Sequence, residues 1–168
     1  MTKQEFAQVI MALQVYYPRE NLPKTEQAID LWYDLLSDIP YQIAEASIKK
    51  WVATNKWSPS ISEIRAMALN VTRGELKDWG QAWDDVMAAV REFGQSRAIE
   101  ALKSLDELTR EATKRIGFRN ICNSDNLAAD RANFRMIYEQ LAQRKETSEQ
   151  MPPRLRELIG NTQKALEG

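Results

Sequence analysis

The sequence contains no histidine and a single cysteine, Cys122. The first absence removes the side chain most often used as a general base and as a metal ligand. The second excludes a disulfide framework, and the two together leave no cysteine and histidine set for a zinc site and no imidazole partner for a cysteine nucleophile. A reducing, intracellular compartment is the simpler reading of one lone thiol. The six glycines (Gly74, Gly80, Gly94, Gly117, Gly160 and Gly168) are scattered. None builds G-x-x-x-x-G-K-[ST] or G-x-G-x-x-G, so the clustered backbone N–H groups of a phosphate-cradling loop are missing. No apolar run approaches the roughly 18 residues of a membrane span. The N-terminal M-T-K-Q-E-F puts charged and polar groups where a signal peptide needs an apolar core. Nor is there an excess of either charge: the net is −1, which speaks against a dedicated nucleic-acid binder while leaving room for a local basic patch.

What is present is helical rhythm. The apolar share of 43 % over 168 residues suffices for one ordinary domain or two small ones. Phe6, Val9, Ile10, Leu13, Tyr16 and Tyr17 recur at the spacing of one helix face and predict a helix over about 2–17. A second helix over about 25–37 starts at Thr25 as N-cap and buries Ala28 or Ile29, then Trp32, Leu35 and Leu36. Pro40 suits the first position of a third helix, along which Tyr41, Ala44, Ile48 and Trp51 form a row. The stretch W-V-A-T-N-K-W-S-P-S-I-S-E-I, Trp51 to Ile64, reads as a rigid corner. Asn55 and Lys56 end one helix, Pro59 forbids its continuation, and Ser60 with Glu63 makes a capping box for the next. Trp57 is expected to fill the angle. The fourth helix carries Ile61, Ile64, Ala68 and Val71. Four single-stripe helices with short connections must bury their stripes against one another.

The expected class is therefore all-α: a compact N-terminal bundle over 1–72, a joint at 73–77, a second helical unit over 78–145, and a polar, partly flexible tail over 146–168 holding a short amphipathic helix. In the second unit Asp78 with Gln81 offers another capping pattern. Trp79, Trp83, Val86, Val90 and Phe93 line a helix that Gly94 ends as a left-handed residue. Ser96 is placed to cap a short helix with Ile99 and Leu102. Leu105, Leu108, Ala112 and Ile116 run on to Gly117. Leu127, Phe134, Ile137, Tyr138 and Leu141 form the stripe of a last helix over about 125–145. No period-two alternation or hairpin signal predicts a strand.

Four clusters are candidates for function. Glu26, Asp30, Asp34 and Asp38 lie four apart and would form a row along the second helix: a solvated face, an acidic docking face, or a cation site. Lys49, Lys50 and Lys56 surround the corner, which as a helix-turn-helix would put the fourth helix in a major groove. That helix offers only Arg65 to a base or a phosphate, and the alternative is a purely structural corner. Arg110, Lys114, Arg115 and Arg119 could touch phosphate, or form an ion-paired face with Glu107 and Glu111. Leu155, Leu158 and Ile159, spaced i, i+3, i+4 on a polar segment, either fold back on their own domain or dock in a partner's groove.

The run L-W-Y-D-L-L-S-D-I-P-Y-Q-I-A-E-A-S-I-K-K-W-V-A-T-N-K-W-S-P-S-I-S-E-I-R resembles the N-terminal domain of the phage replicative helicase loader/inhibitor family. The ordered elements are the L-W-Y helix, the small and apolar alternation ending in T-N-K, the proline turn and the I-x-E-I helix start. The likeness spans roughly residues 1–70. The R-I-G-F-R-N-I-C stretch and D-R-A-N-F-R-M-I-Y helix are similar to longer phage relatives. The resemblance implies an all-helical, non-enzymatic adaptor without a cofactor. It would bind the hexameric replicative helicase, hold it inactive, and help deliver it to a phage origin through an origin-binding protein. A flexible C-terminal part would be implicated in helicase contact, in the cytoplasm of a bacterial host. The second half here reads as folded for most of its length, unlike a head with a loose tail. A helical DNA-binding replication or regulatory protein is the alternative. The resemblance transfers no catalytic motif and no contact residue.

Overall fold

The computed structural model describes residues 1–167. Among them there are ten α-helices and one 3-10 turn, and no strand. The chain forms two compact units. The first joins Met1–Glu75 to the chain from Thr147 onward; the second is Leu76–Glu146.

In the first unit lie α1 (Lys3–Tyr16), α2 (Glu26–Leu36), α3 (Tyr41–Thr54) and α4 (Ile61–Arg73). Three of them start where a side chain satisfies an orphan N–H. Thr2 with Glu5 and Ser60 with Glu63 are complete capping boxes, and Thr25 Oγ1 accepts from the Ala28 N–H. Helix α3 is the exception: Pro40 is its N-cap, one position earlier than its fixed φ suggested, because its ψ of 142° is extended rather than helical. The core joins Phe6, Ile10 and Leu13 of α1 to Leu36, Ala44, Ile48 and Ile64. Burying each large aliphatic or aromatic side chain contributes roughly 1.5–3 kcal/mol.

Three expectations fail at the edges of this core. Tyr16 is 47 % exposed, because α1 ends there and Tyr17 turns inward instead, its hydroxyl donating to the Asn55 carbonyl at 3.0 Å. Val71 lies one turn beyond the buried Ala68 and is exposed. Trp57 does not fill the corner; its side chain is 64 % exposed. The Trp51 indole N–H donates to the Trp57 carbonyl at 2.8 Å, which ties the turn to α3 through its backbone. Pro59, fully buried, occupies the angle.

In the second unit, α5 (Trp79–Phe93), a 3-10 turn (Gln95–Arg97), α6 (Ala98–Ser104), α7 (Glu107–Ile116), α8 (Phe118–Cys122) and most of α9 (Leu127–Gln150) surround an aromatic centre. Phe134 is fully buried, 5.3 Å from the Trp83 ring and 5.6 Å from Tyr138. The Tyr138 hydroxyl donates to the Lys77 carbonyl at 2.9 Å, tying α9 to the approach of α5. Gly94 ends α5 at φ 59° and Gly117 separates α7 from α8 at φ 95°. Both backbones favour glycine, and a Cβ on Gly117 would come within 2.8 Å of the Asn120 amide nitrogen.

Ser96 caps nothing: it lies inside the 3-10 turn, and α6 begins after Arg97. Ile99 faces solvent while Ala101 takes the buried position. Leu127, expected in the stripe of α9, is 43 % exposed. It is the first residue of α9, at the helix end rather than within the buried stripe. The polar stretch 146–150, read as the start of a tail, is the last turn of α9, and α10 (Pro153–Glu167) follows over 15 residues.

Candidate functional site

The residue that organises the C-terminal segment is Arg65. It follows Ile64 on the buried side of α4 and is only 8 % exposed. A buried guanidinium needs fixed acceptors for its five donors. Nη1 donates to the Leu35 carbonyl at 2.7 Å and to Asp38 Oδ1 at 2.7 Å, and Nη2 donates to Asp38 Oδ2 at 2.9 Å. Nε donates to the Gln150 carbonyl at the end of α9. At the last residue of α4, Arg73 pairs with Glu149. Pro152, between these contacts and α10 in the chain, is buried. Helix α10 is therefore rooted on the first unit through the residues that lead into it.

Beyond that root the helix is open. Leu155 is half-buried, Leu158 is 62 % exposed and Ile159 is 40 % exposed. Leu166, two turns further on, also faces solvent. The apolar stripe of α10 thus stands largely unpartnered on a helix that its own unit anchors at one end. The segment leading into α10 folds back on its own unit, while Leu158 and Ile159 stay exposed.

The acidic row does not survive as a row. Helix α2 ends at Leu36, so Asp38 lies past it and turns to Arg65. Burial pushes the Asp38 carboxyl up, but the hydrogen bonds and charge of Arg65 outweigh it and hold the group below the usual carboxylate range. Asp30 pairs with Lys3 at 2.7 Å. Glu26 and Asp34 are exposed on α2. Four carboxylates read as one face are two ion pairs and two solvated groups. Among the described residues no group of three or more acidic, cysteine or histidine side chains comes together to hold a metal ion.

The corner is equally occupied. Arg65, the one candidate base or phosphate contact of α4, is engaged inside the protein. Lys49 pairs with Glu45, and the Lys56 ammonium lies 5.1 Å from the centre of the Trp57 ring. In the second unit Arg115 faces Glu111 at 3.6 Å. Arg110, Lys114 and Arg119 have no carboxylate within 4 Å among the described residues, and Lys114 and Arg119 are exposed. Glu107 pairs with Lys145, so the anticipated ion-paired face forms in part.

Sequence reasoning missed the role of Arg65 because its partners lie 27, 30 and 85 residues away. The available signal was an arginine directly after a core isoleucine. Cys122 is half-buried, and burial pushes its thiol up, away from the reactive thiolate. No helix among the described residues is long and apolar enough to cross a membrane.

Residues 1–65 match the family model of the N-terminal domain of gp39P-like phage helicase loaders and inhibitors. The matched stretch ends at Arg65 and includes the whole Leu31–Arg65 run. No curated protein and no solved structure matches the chain.

Proposed function

We propose, taking the match over residues 1–65 as premise, that this protein is a non-enzymatic adaptor. It binds the hexameric replicative DNA helicase, inhibits it, and helps load it at a phage origin with an origin-binding protein. The observation that carries this reading beyond the match is α10, an anchored helix whose apolar stripe is open. An isolated helix of no more than about 15 residues is marginal alone in water. Held at its root, it meets a partner's groove with part of the ordering entropy already lost, which favours binding. Leu155, Leu158 and Ile159 are the proposed contacts, and Glu26 and Asp34, exposed on α2, remain available as acidic contacts.

The mechanism is control of populations. An adaptor that binds one assembly state of the helicase better than another holds it there until a second partner displaces it. No phosphate-binding loop of its own is needed. Light scattering on size-exclusion fractions of this protein mixed with the cognate helicase tests it. A complex of defined mass that is lost in a Leu158→Ser, Ile159→Ser variant of unchanged helicity is expected. Separate elution under every nucleotide condition would refute the adaptor reading.

A DNA-binding role keeps one observation in its favour, the three cations Arg110, Lys114 and Arg119 that lack a carboxylate partner among the described residues. It predicts salt-dependent binding of DNA by the isolated protein, lost on their joint replacement by glutamine. The corner gives that role no support, since Arg65 is buried and paired.

A further inference from the structure

An apolar groove lies wholly within the second unit, between α5 and the first half of α9, with a volume of about 620 Å³. Trp79, Trp83 and Met87, spaced i, i+4, i+8, line it from α5. Trp83 is buried and forms the floor. On the α9 side Ala128 and Ala132, one turn apart and both exposed, present only methyl groups, and the exposed Leu127 closes one end. Those two alanines hollow the groove: larger side chains there would fill it. Eight residues' advance on each helix makes it about 12 Å long, close to two helical turns.

The rim is cationic. The guanidiniums of Arg131 and Arg135 lie 5.2 and 5.0 Å from the centre of the Trp79 ring. Arg135 also pairs with Glu139 at 2.9 Å. Arg131 has no carboxylate within 4 Å among the described residues. The indole thus holds two positive charges beside an apolar trough, and one of them lacks a counter-charge.

We infer that this groove docks an amphipathic helix of a partner protein, one that sets apolar residues into the trough and carboxylates against Arg131 and Arg135. Charge selects this occupant. The α10 of a second copy fits poorly, because Arg154, Arg156 and Lys164 outnumber Glu157 and Glu167 there, and Arg154 and Arg156 flank Leu155, so the rims would repel. Single-stranded nucleic acid needs a bare aromatic face for a base to stack on, and the guanidiniums cover Trp79. An acidic helix satisfies both the trough and the rim. The inference is independent of the helicase reading, since it uses no residue of the matched stretch or of α10.

The test uses the full chain and a surface-displayed library of helices, with leucine fixed at i, i+4 and i+7 and all other positions random. Selected helices are expected to carry Asp or Glu beside the leucines. Their affinity is expected to fall about tenfold or more on Arg131→Glu. It should fall similarly on Ala132→Trp or the milder Ala128→Leu, both of which fill the groove. A copy of a selected helix with lysine for glutamate should recover binding to Arg131→Glu, which a merely misfolded variant could not provide. Selected helices with no acidic preference would overturn the proposal, as would binding insensitive to all three substitutions. So would displacement of the selected helix by an oligodeoxythymidylate that itself loses binding on Arg131→Glu, and that result would assign the groove to nucleic acid.

Discussion

Arg65 and Asp38 form a two-pronged pair: Nη1 meets Oδ1 at 2.7 Å and Nη2 meets Oδ2 at 2.9 Å. The same guanidinium also holds the Leu35 and Gln150 carbonyls. Replacing Arg65 by alanine leaves the Leu35 and Gln150 carbonyls and the partly exposed Asp38 carboxylate without the guanidinium that holds them. The expected loss is about 2–4 kcal/mol, read from denaturant unfolding followed by circular dichroism. A loss under about 0.5 kcal/mol, typical of surface changes, would mean that the guanidinium does not organise the unit.

Acid should weaken the fold through three identifiable carboxyls. Asp38 is held low against burial by Arg65. Glu63 is held low by the Ser60 hydroxyl and N–H. In Asp106, burial is outweighed by the Thr109 hydroxyl and N–H and by Lys77. A carboxyl whose folded value lies below its unfolded value of about 4 stabilises the fold above that pH and loses the contribution as pH falls through the folded value. Stability should therefore be flat above about pH 5 and fall progressively below about pH 4. Denaturant midpoints across that range measure it, and Asp38→Asn should flatten the fall as well as lower the plateau. An identical slope in the variant would remove Asp38 from the account.

The two tryptophans of the corner should behave oppositely to their size on paper. Trp57→Ala removes an exposed ring and should change stability by no more than about 0.5 kcal/mol. Trp51→Phe keeps most of the buried area but leaves the Trp57 carbonyl without its donor, and should cost about 1 kcal/mol. Thermal melts of both variants decide it; a larger effect at Trp57 would restore the ring to the angle.

Phe134→Ala should unfold the second unit preferentially. The ring is fully buried between Trp83 and Tyr138, and such truncations cost about 3–5 kcal/mol. Hydrogen exchange resolved by segment should show protection lost across α5 to α8 while α1 to α4 keep theirs.

The helices were legible because their signals are local. Ser60 with Glu63, Thr25 and Gly94 each act within one turn, and the structure uses all three as read. Spacing also identified Phe6, Ile10, Leu13, Phe134 and Tyr138 as core. What spacing cannot carry is direction at an edge and partnership at a distance. Trp57 is apolar and close to the corner, yet Pro59 takes the space. Asp38 continues the period of Glu26, Asp30 and Asp34, yet the helix stops before it. The α5–α9 groove was invisible for a related reason: it depends on two alanines on one helix facing three large side chains on another, and neither set is unusual alone.

The route of the backbone has a consequence for how the protein is made. The first unit is assembled from sequence before residue 76 and after residue 146, with the second unit spliced between. On the ribosome, the four N-terminal helices emerge early, but the Gln150 carbonyl and Glu149 carboxylate that Arg65 and Arg73 hold emerge only after all of the second unit. Arg65 must wait in the core with Asp38 and Leu35 alone, one acceptor short, while residues 76–146 pass. The nascent head thus has its first four helices but an incomplete polar interior, and α10 takes its mount only after the second unit has been made.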